Sequence, residues 1–224
     1  MVDFSWENNR LSLTSGNAVT GIDVSSHQGV IDWTAVAQDG ISFVFVRLGY
    51  RGYETGTLQE DEFARQNLEG ARAAGLKVGA YFFSQALSET EAREEAALCL
   101  TILDGFSLDL PLVYDWEFVT KEARTGNVDR QTLTACTQAF RYRVAPQYES
   151  AVYFNRDQAN RLLNLQELEE LPWWLAQYGT EMELPFRVDL WQYSSGGQVK
   201  GIEGDVDLNL MFTDYGLGKT LFGS

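Results

Sequence analysis

Asp115 and Glu117 flank Trp116 at the end of the run Pro-Leu-Val-Tyr-Asp-Trp-Glu, residues 111–117. Leu112, Val113 and Tyr114 are apolar and β-prone, so the run is expected to form a buried strand entered from a turn. Alternate residues of a strand point to one face, which puts both carboxyls on the same side. Two residues of rise set their backbones roughly 6–7 Å apart. Acids this close repel each other's charge, and partial burial beside Trp116 acts in the same direction, so at least one pKa rises. One carboxyl then holds a proton near neutral pH while the other stays charged. Cleavage of a glycosidic bond needs that division: a proton donor for the leaving oxygen, and a negative charge beside an oxocarbenium-like transition state. The tripeptide alone does not establish that chemistry, since two acids can also end a strand in solvent.

The flanking sequence supplies a scaffold for the pair. Residues 19–29 begin as a short strand and end in a polar turn, which places Asp23 at or near a strand end. Asp32 is a suitable N-cap for a short helix through Ala37. Residues 41–48 are almost continuously apolar, as a strand covered on both faces reads. A Gly- and Tyr-rich loop follows, then a helix expected over 59–74 that stops at Gly75. Residues 76–83 read as a strand, and Ser88 with Glu91 as a capping box opening a helix to 103. After 112–117 come a helix over 130–145, a strand over 151–154 and a helix to 163. Three short strands, 173–178, 188–193 and 206–210, follow with no helical pattern of useful length between them. Eight strands, the first five alternating with helices, predict an α/β fold: a modified TIM-like β/α barrel with helices mainly after the first five strands. The mouth of such a barrel is where barrel enzymes place their chemistry. Residues 1–18 are polar and aperiodic and are expected to be an N-terminal tail or linker. Residues 19–224 are expected to be a single catalytic barrel domain without internal repeats.

Composition narrows the partners. The 224 residues carry 32 acidic and 17 basic side chains, a formal net charge of −15, which excludes a phosphate-neutralising nucleic-acid binder. No run is long and apolar enough to span a membrane, and the first residues lack the basic-then-apolar pattern of a signal peptide. Cys99 and Cys136 read as small core residues. One histidine and two scattered cysteines make a transition-metal site an unsuitable expectation, and no cofactor is expected. His27, the one histidine, reads as part of the turn after the first strand.

An ordered set of motifs resembles glycoside hydrolase family 25, the muramidases of bacteria and phages. Gly21-Ile22-Asp23-Val24-Ser25, Gln28-Gly29 and Ile31-Asp32-Trp33 resemble the family's opening strand and helix. Phe43-Val44-Phe45-Val46-Arg47 looks like its second strand. Asp61, Phe63, Asn67 and Ala71-Arg72-Ala73-Ala74-Gly75-Leu76 look like its first long helix running into strand three. Asp115 and Glu117 resemble its catalytic pair, and Trp191-Gln192-Tyr193 and Val206-Asp207-Leu208-Asn209 its last two strands. The set covers residues 19–212. It implies an N-acetylmuramidase that cuts the β-1,4 bond from N-acetylmuramic acid to N-acetylglucosamine in the peptidoglycan glycan strand. It is expected outside the cell or associated with the wall, and the chain is taken as a monomer. By motif, Glu117 is the general acid, and Asp115 stabilises developing positive charge or orients the 2-acetamido group. Asp23 and Asp207 match two further acids of the pocket. The backbone spacing exceeds the ~5 Å of a direct carboxylate nucleophile and leaves acetamido-assisted attack and an inverting water both open. Many members carry Tyr-His-Phe on strand three where this chain has Tyr81-Phe82-Phe83.

Aromatic rings can pack on the C–H faces of sugars. Tyr81, Tyr153, Trp174 and Trp191 each sit near the end of an expected strand. Of these, Tyr81, Tyr153 and Trp174, together with Gln192, match positions lining the family's pocket. Three rival readings make different demands on the sequence. A non-catalytic wall-binding module would lack one of the four acids. A chitinase-like barrel would carry a longer run of alternating acids before Glu117, where this chain has Val113 and Pro111. A divalent-cation site built from the acids would make the protein sensitive to chelators.

Overall fold

The computed structural model describes residues 4–7, 10–14, 17–180, 182 and 187–223. In chain order it contains β1 (Phe4–Glu7), β2 (Arg10–Leu13), β3 (Ala18–Val24), α1 (Trp33–Gln38), β4 (Phe43–Arg51), β5 (Leu58–Glu60), α2 (Ala64–Ala73), β6 (Lys77–Ser84) and α3 (Glu89–Leu103). Then follow β7 (Leu112–Trp116), α4 (Arg130–Val144), β8 (Ser150–Asn155), α5 (Arg156–Arg161), β9 (Trp173–Ala176), β10 (Leu190–Gly197), β11 (Val206–Phe212) and α6 (Gly216–Phe222). Helix starts follow their caps: the side chains of Asp32, Ser88 and Asp129 accept from Ala35, Glu91 and Thr132 N–H, each satisfying a donor the helix leaves open.

The sheet runs β3-β11-β10-β9-β8-β7-β6-β4, with β5 on the edge of β4, and a parallel β3–β4 pairing closes the barrel. The expected eight-stranded α/β barrel is therefore the observed one, with a helix after each of its first five strands. Seven barrel strands are mutually parallel. β11 alone is reversed, antiparallel to both β10 and β3. An antiparallel neighbour needs no crossover helix, so β10 passes to β11 without one.

Alternation along each strand divides the core in two. Phe43, Phe45, Val113, Ala151, Trp174, Leu190 and Met211 fill the barrel interior, with Leu217, Leu221 and Phe222 of α6 packed against them. Val44, Val46, Phe82, Leu112, Tyr114 and Phe154 face the outer layer. Gly21 and Gly79 make room for the interior rings: a Cβ there would lie 2.3 Å from the Phe43 ring and 2.4 Å from the Phe45 ring.

Two expectations are corrected. Within the segment read as a tail, β1 and β2 pair as an antiparallel hairpin. Its Leu11 is fully buried, and its N–H donates to the Tyr193 hydroxyl at 3.3 Å. Phe4 packs edge-on against Trp191 at 5.1 Å, and Trp6 against Tyr193 at 6.2 Å. The hairpin thus covers outward aromatic rings of β10. The helix expected over 59–74 starts only at Ala64, because residues 58–60 pair with β4 as β5. Cys99 and Cys136 are buried free thiols. Among the described residues, no helix is long and apolar enough to cross a membrane.

Candidate active site

Four acids meet at one end of the barrel because strand direction and register bring them there. Asp23 lies near the C-terminal end of β3, Asp115 near that of β7, and Glu117 one residue past β7. β11 runs the other way, so its second residue, Asp207, reaches the same end and sits directly opposite Asp23 in the β3–β11 ladder. The acids line a cavity of about 190 Å³ together with Ser25, His27, Gln28, Arg47, Tyr81, Phe83, Tyr153, Trp174, Tyr178 and Gln192. A groove of about 580 Å³ continues from it, sharing His27, Arg47 and Phe83 and walled by Tyr50 and Tyr53.

Of the residues singled out from sequence, Asp23, Asp115, Glu117, Asp207, Tyr81, Tyr153, Trp174 and Gln192 all line this cavity. Trp191 does not. Its ring is fully buried on the outer side of β10 among Phe4 and Tyr193, and its Nε1 donates to the Gln177 carbonyl at 2.8 Å. The reason is alternation: Gln192 faces the cavity, so its strand neighbour must face away. Trp174 forms the floor rather than an open platform. It is 1% exposed, lies 4.6 Å from the Phe45 ring, and meets Tyr153 and Tyr81 edge-on at 5.1 and 6.4 Å. His27 stands exposed in the 3-10 turn Ser26–Gln28 at the rim.

Hydrogen bonds fix the acids unequally. One oxygen of Asp23 accepts from Gln192 Nε2 at 2.9 Å and from Asn209 Nδ2 at 2.7 Å. Tyr153 donates to Gln192 Oε1 at 2.9 Å, and Trp174 Nε1 to Asn209 Oδ1 at 2.8 Å. Asp23 is thus the anchored anion of the cluster. Asp115 is equally buried, yet its Oδ1 has no hydrogen-bond partner among the described residues.

Burial is the main cause of every pKa shift in the group, because desolvation penalises the charged form. It raises Asp23 to about 6, against the hydrogen bonds from Asn209, Gln192 and Asp207. Burial and then the charge of Asp23 raise Glu117 to about 7. Asp207 is pushed to about 8 by burial, by the charges of Asp23 and Glu117, and by its hydrogen bond with Asp23. Asp115 stands well above the usual carboxylate range, through burial first and then Glu117 and Asp23, with Arg47 pulling it back. The division between a protonated and a charged acid therefore falls across the whole cluster. As pH rises, Asp23, at about 6, ionises before Glu117 at about 7 and Asp207 at about 8.

Arg47 and Tyr178 are site residues for which sequence reading assigned no role. Arg47 interrupts the apolar run of β4, and a cation inside a covered strand requires a partner. That partner is Asp61, which accepts from Arg47 Nε at 2.9 Å and from Ser26 N–H at 3.0 Å. The unpaired charge in an otherwise apolar strand was the available signal. Tyr178, 60% exposed at the rim, falls at the end of the strand expected over 173–178, but β9 stops at Ala176 and leaves it in the following loop. Among the described residues, no group of three or more His, Cys, Asp or Glu side chains is arranged to hold a metal ion.

Comparison with known proteins converges on one family. The family model described as glycosyl hydrolases family 25 matches residues 22–202. The autolytic lysozyme of Clostridium acetobutylicum is 28% identical over 194 residues, covering 84% of this chain and 54% of that protein. Among solved structures, the modular autolysin LytC from Streptococcus pneumoniae, in complex with a synthetic peptidoglycan ligand, superposes with a TM-score of 0.77. It is 26% identical, over 95% of this chain and 52% of that one. The bacterial lysozyme from Streptomyces coelicolor gives a TM-score of 0.73 at 27% identity, over 91% of this chain and 94% of that one. The chain spans about half the length of the first two.

Proposed function

Because the chain belongs to glycosyl hydrolases family 25, we propose that it is an N-acetylmuramidase that cuts the β-1,4 bond between N-acetylmuramic acid and N-acetylglucosamine in peptidoglycan. It acts as a monomer at the cell wall, outside the cell, with residues 19–224 as its catalytic domain. The observation that carries this reading is a partly buried carboxyl, Glu117, raised to about 7 beside a deeper one with an open acceptor, Asp115. Glu117 keeps its proton up to about pH 7 and delivers it to the leaving glycosidic oxygen. Asp115 accepts from the 2-acetamido N–H of the sugar being cut. Positive charge developing at the anomeric carbon adds to that of Arg47 beside Asp115 and strengthens its interaction with the Asp115 oxygens. Asp23, already anionic and held by Gln192 and Asn209, adds fixed negative potential that strengthens in the transition state. Asp207 shares a proton with Asp23 across the ladder. Tyr81, Tyr153 and Tyr178 offer ring faces and hydroxyls to the sugar, with Gln192 between them.

The test is digestion of purified peptidoglycan with mass spectrometry of the borohydride-reduced products. Fragments carrying reduced muramic acid at the new end support the proposal. Fragments ending in reduced N-acetylglucosamine overturn the bond specificity. Tight wall binding without release replaces the enzyme with a wall-binding module. The anomer first released, followed by NMR, separates acetamido-assisted attack (retention) from an inverting water.

A further inference from the structure

Glu117 lies one residue beyond β7, where no ladder holds it. The pairing with β6 ends at Ser84 and Trp116, and that with β8 ends at Tyr153 and Asp115. A proton donor needs its carboxyl fixed to within about 0.5 Å of the productive position, so something other than the sheet has to set its backbone.

Two buried glutamines converge on that backbone from different elements. Gln85, just past β6, donates from Nε2 to the carbonyl of Glu117 at 2.7 Å and to that of Ser84 at 2.9 Å. Gln158, on α5, donates from Nε2 to the carbonyl of Trp116. The carbonyls on both sides of the Glu117 Cα are thereby held. Carbonyl oxygens only accept, so each amide must turn its NH2 toward them. The amide oxygens are fixed in turn. Gln85 Oε1 accepts from the Thr125 hydroxyl at 2.6 Å. Gln158 Oε1 accepts from Asn155 N–H at 2.8 Å, while Asn155 Oδ1 accepts from Gln158 N–H at 3.0 Å. Arg124 donates to the Gln85 carbonyl at 3.1 Å and pairs with Glu91 at 2.5 Å. Gln85 is 0% and Gln158 1% exposed, and neither lines the cavity. A buried amide is favourable only when its polar atoms are satisfied, and here that satisfaction is directed at one residue.

We propose that Gln85 and Gln158 are positioning residues that clamp the backbone of Glu117 from two sides and so fix the direction of its side chain and the depth of its carboxyl. The proposal rests on Glu117 being the acid of the reaction.

Gln85→Met keeps the length of the side chain and removes both donors. The decisive readout is carbon-13 NMR titration of the Glu117 carboxyl in the full chain, which needs no substrate. Release of the clamp lets the carboxyl tilt toward water, and its midpoint falls by about half a unit or more as desolvation is relieved. Turnover on peptidoglycan falls about tenfold with KM within about twofold, as misplacement without lost binding does. An unchanged midpoint in folded Gln85→Met overturns the clamp, whatever happens to turnover. If Gln85→Met does not fold, Thr125→Val, which only frees the Gln85 amide to rotate, carries the same two readouts. A wild-type protein that releases no muramic-acid-ended fragments would overturn the proposed reaction, and the titration would still decide whether the clamp sets the Glu117 carboxyl.

Discussion

Replacing Glu117 with glutamine keeps the outline of the side chain and removes its proton, so turnover falls at least ~100-fold when general acid catalysis is lost. Asp115→Asn, which turns an acceptor into a mixed donor and acceptor, costs a comparable factor. Initial rates of reducing-end release check both. The Glu117 proton is lost as pH passes about 7, so the alkaline limb of kcat/KM falls there. The charge of Asp23 is what raises Glu117 beyond burial, so Asp23→Asn moves that limb to lower pH. A limb that stays in place would mean that the two carboxyls do not couple. All four acids were legible as residues in ordered motifs. Their ranking was not, because it depends on which oxygens Gln192, Asn209 and Asp207 reach across the barrel. The placement of Trp191 was misjudged for a local reason: two strand neighbours cannot both face one cavity.

Among the elements, helices and barrel strands were legible wherever periodicity and caps agreed. Ser88 and Asp32 both cap where expected. What escaped was structure decided by tertiary partners. Leu58, Gln59 and Glu60 have helix-compatible side chains, yet pair with β4. The polar hairpin of β1 and β2 shows its purpose only against the outward rings of Trp191 and Tyr193. That hairpin covers the outward rings of β10 with Leu11 fully buried, so Leu11→Ala should cost about 2–5 kcal/mol, as large-to-small changes in a core do. At about 2–4 °C per kcal/mol, calorimetry resolves the loss. KM should not change, since Leu11 packs on the side of β10 opposite the cavity. A raised KM would indicate that the hairpin reaches the site.

For the molecule as a whole, the acid cluster sets how stability varies with pH. The folded chain binds protons at Asp23, Glu117 and Asp207 more tightly than the unfolded chain does, since their pKa values rise to about 6, 7 and 8. Their contribution is therefore most favourable below about pH 4 and is lost as pH climbs through those values. Asp207→Asn, which cannot ionise, raises Tm by about 2 °C or more near pH 8.5 and changes it little near pH 4. Scanning calorimetry at the two pH values decides the matter, and an equal shift at both would contradict the linkage. The net charge of −15 opposes approach to anionic walls, so moderate salt should speed lysis of intact walls more than cleavage of short neutral glycans. The reversed β11 has one further effect, which concerns synthesis. Of the eight barrel strands, the one translated last pairs with the one translated first, and their ladder joins Asp207 to Asp23. Until β11 is made, the sheet is open and the pocket lacks a wall. The acid cluster is therefore completed only in the step that shuts the barrel.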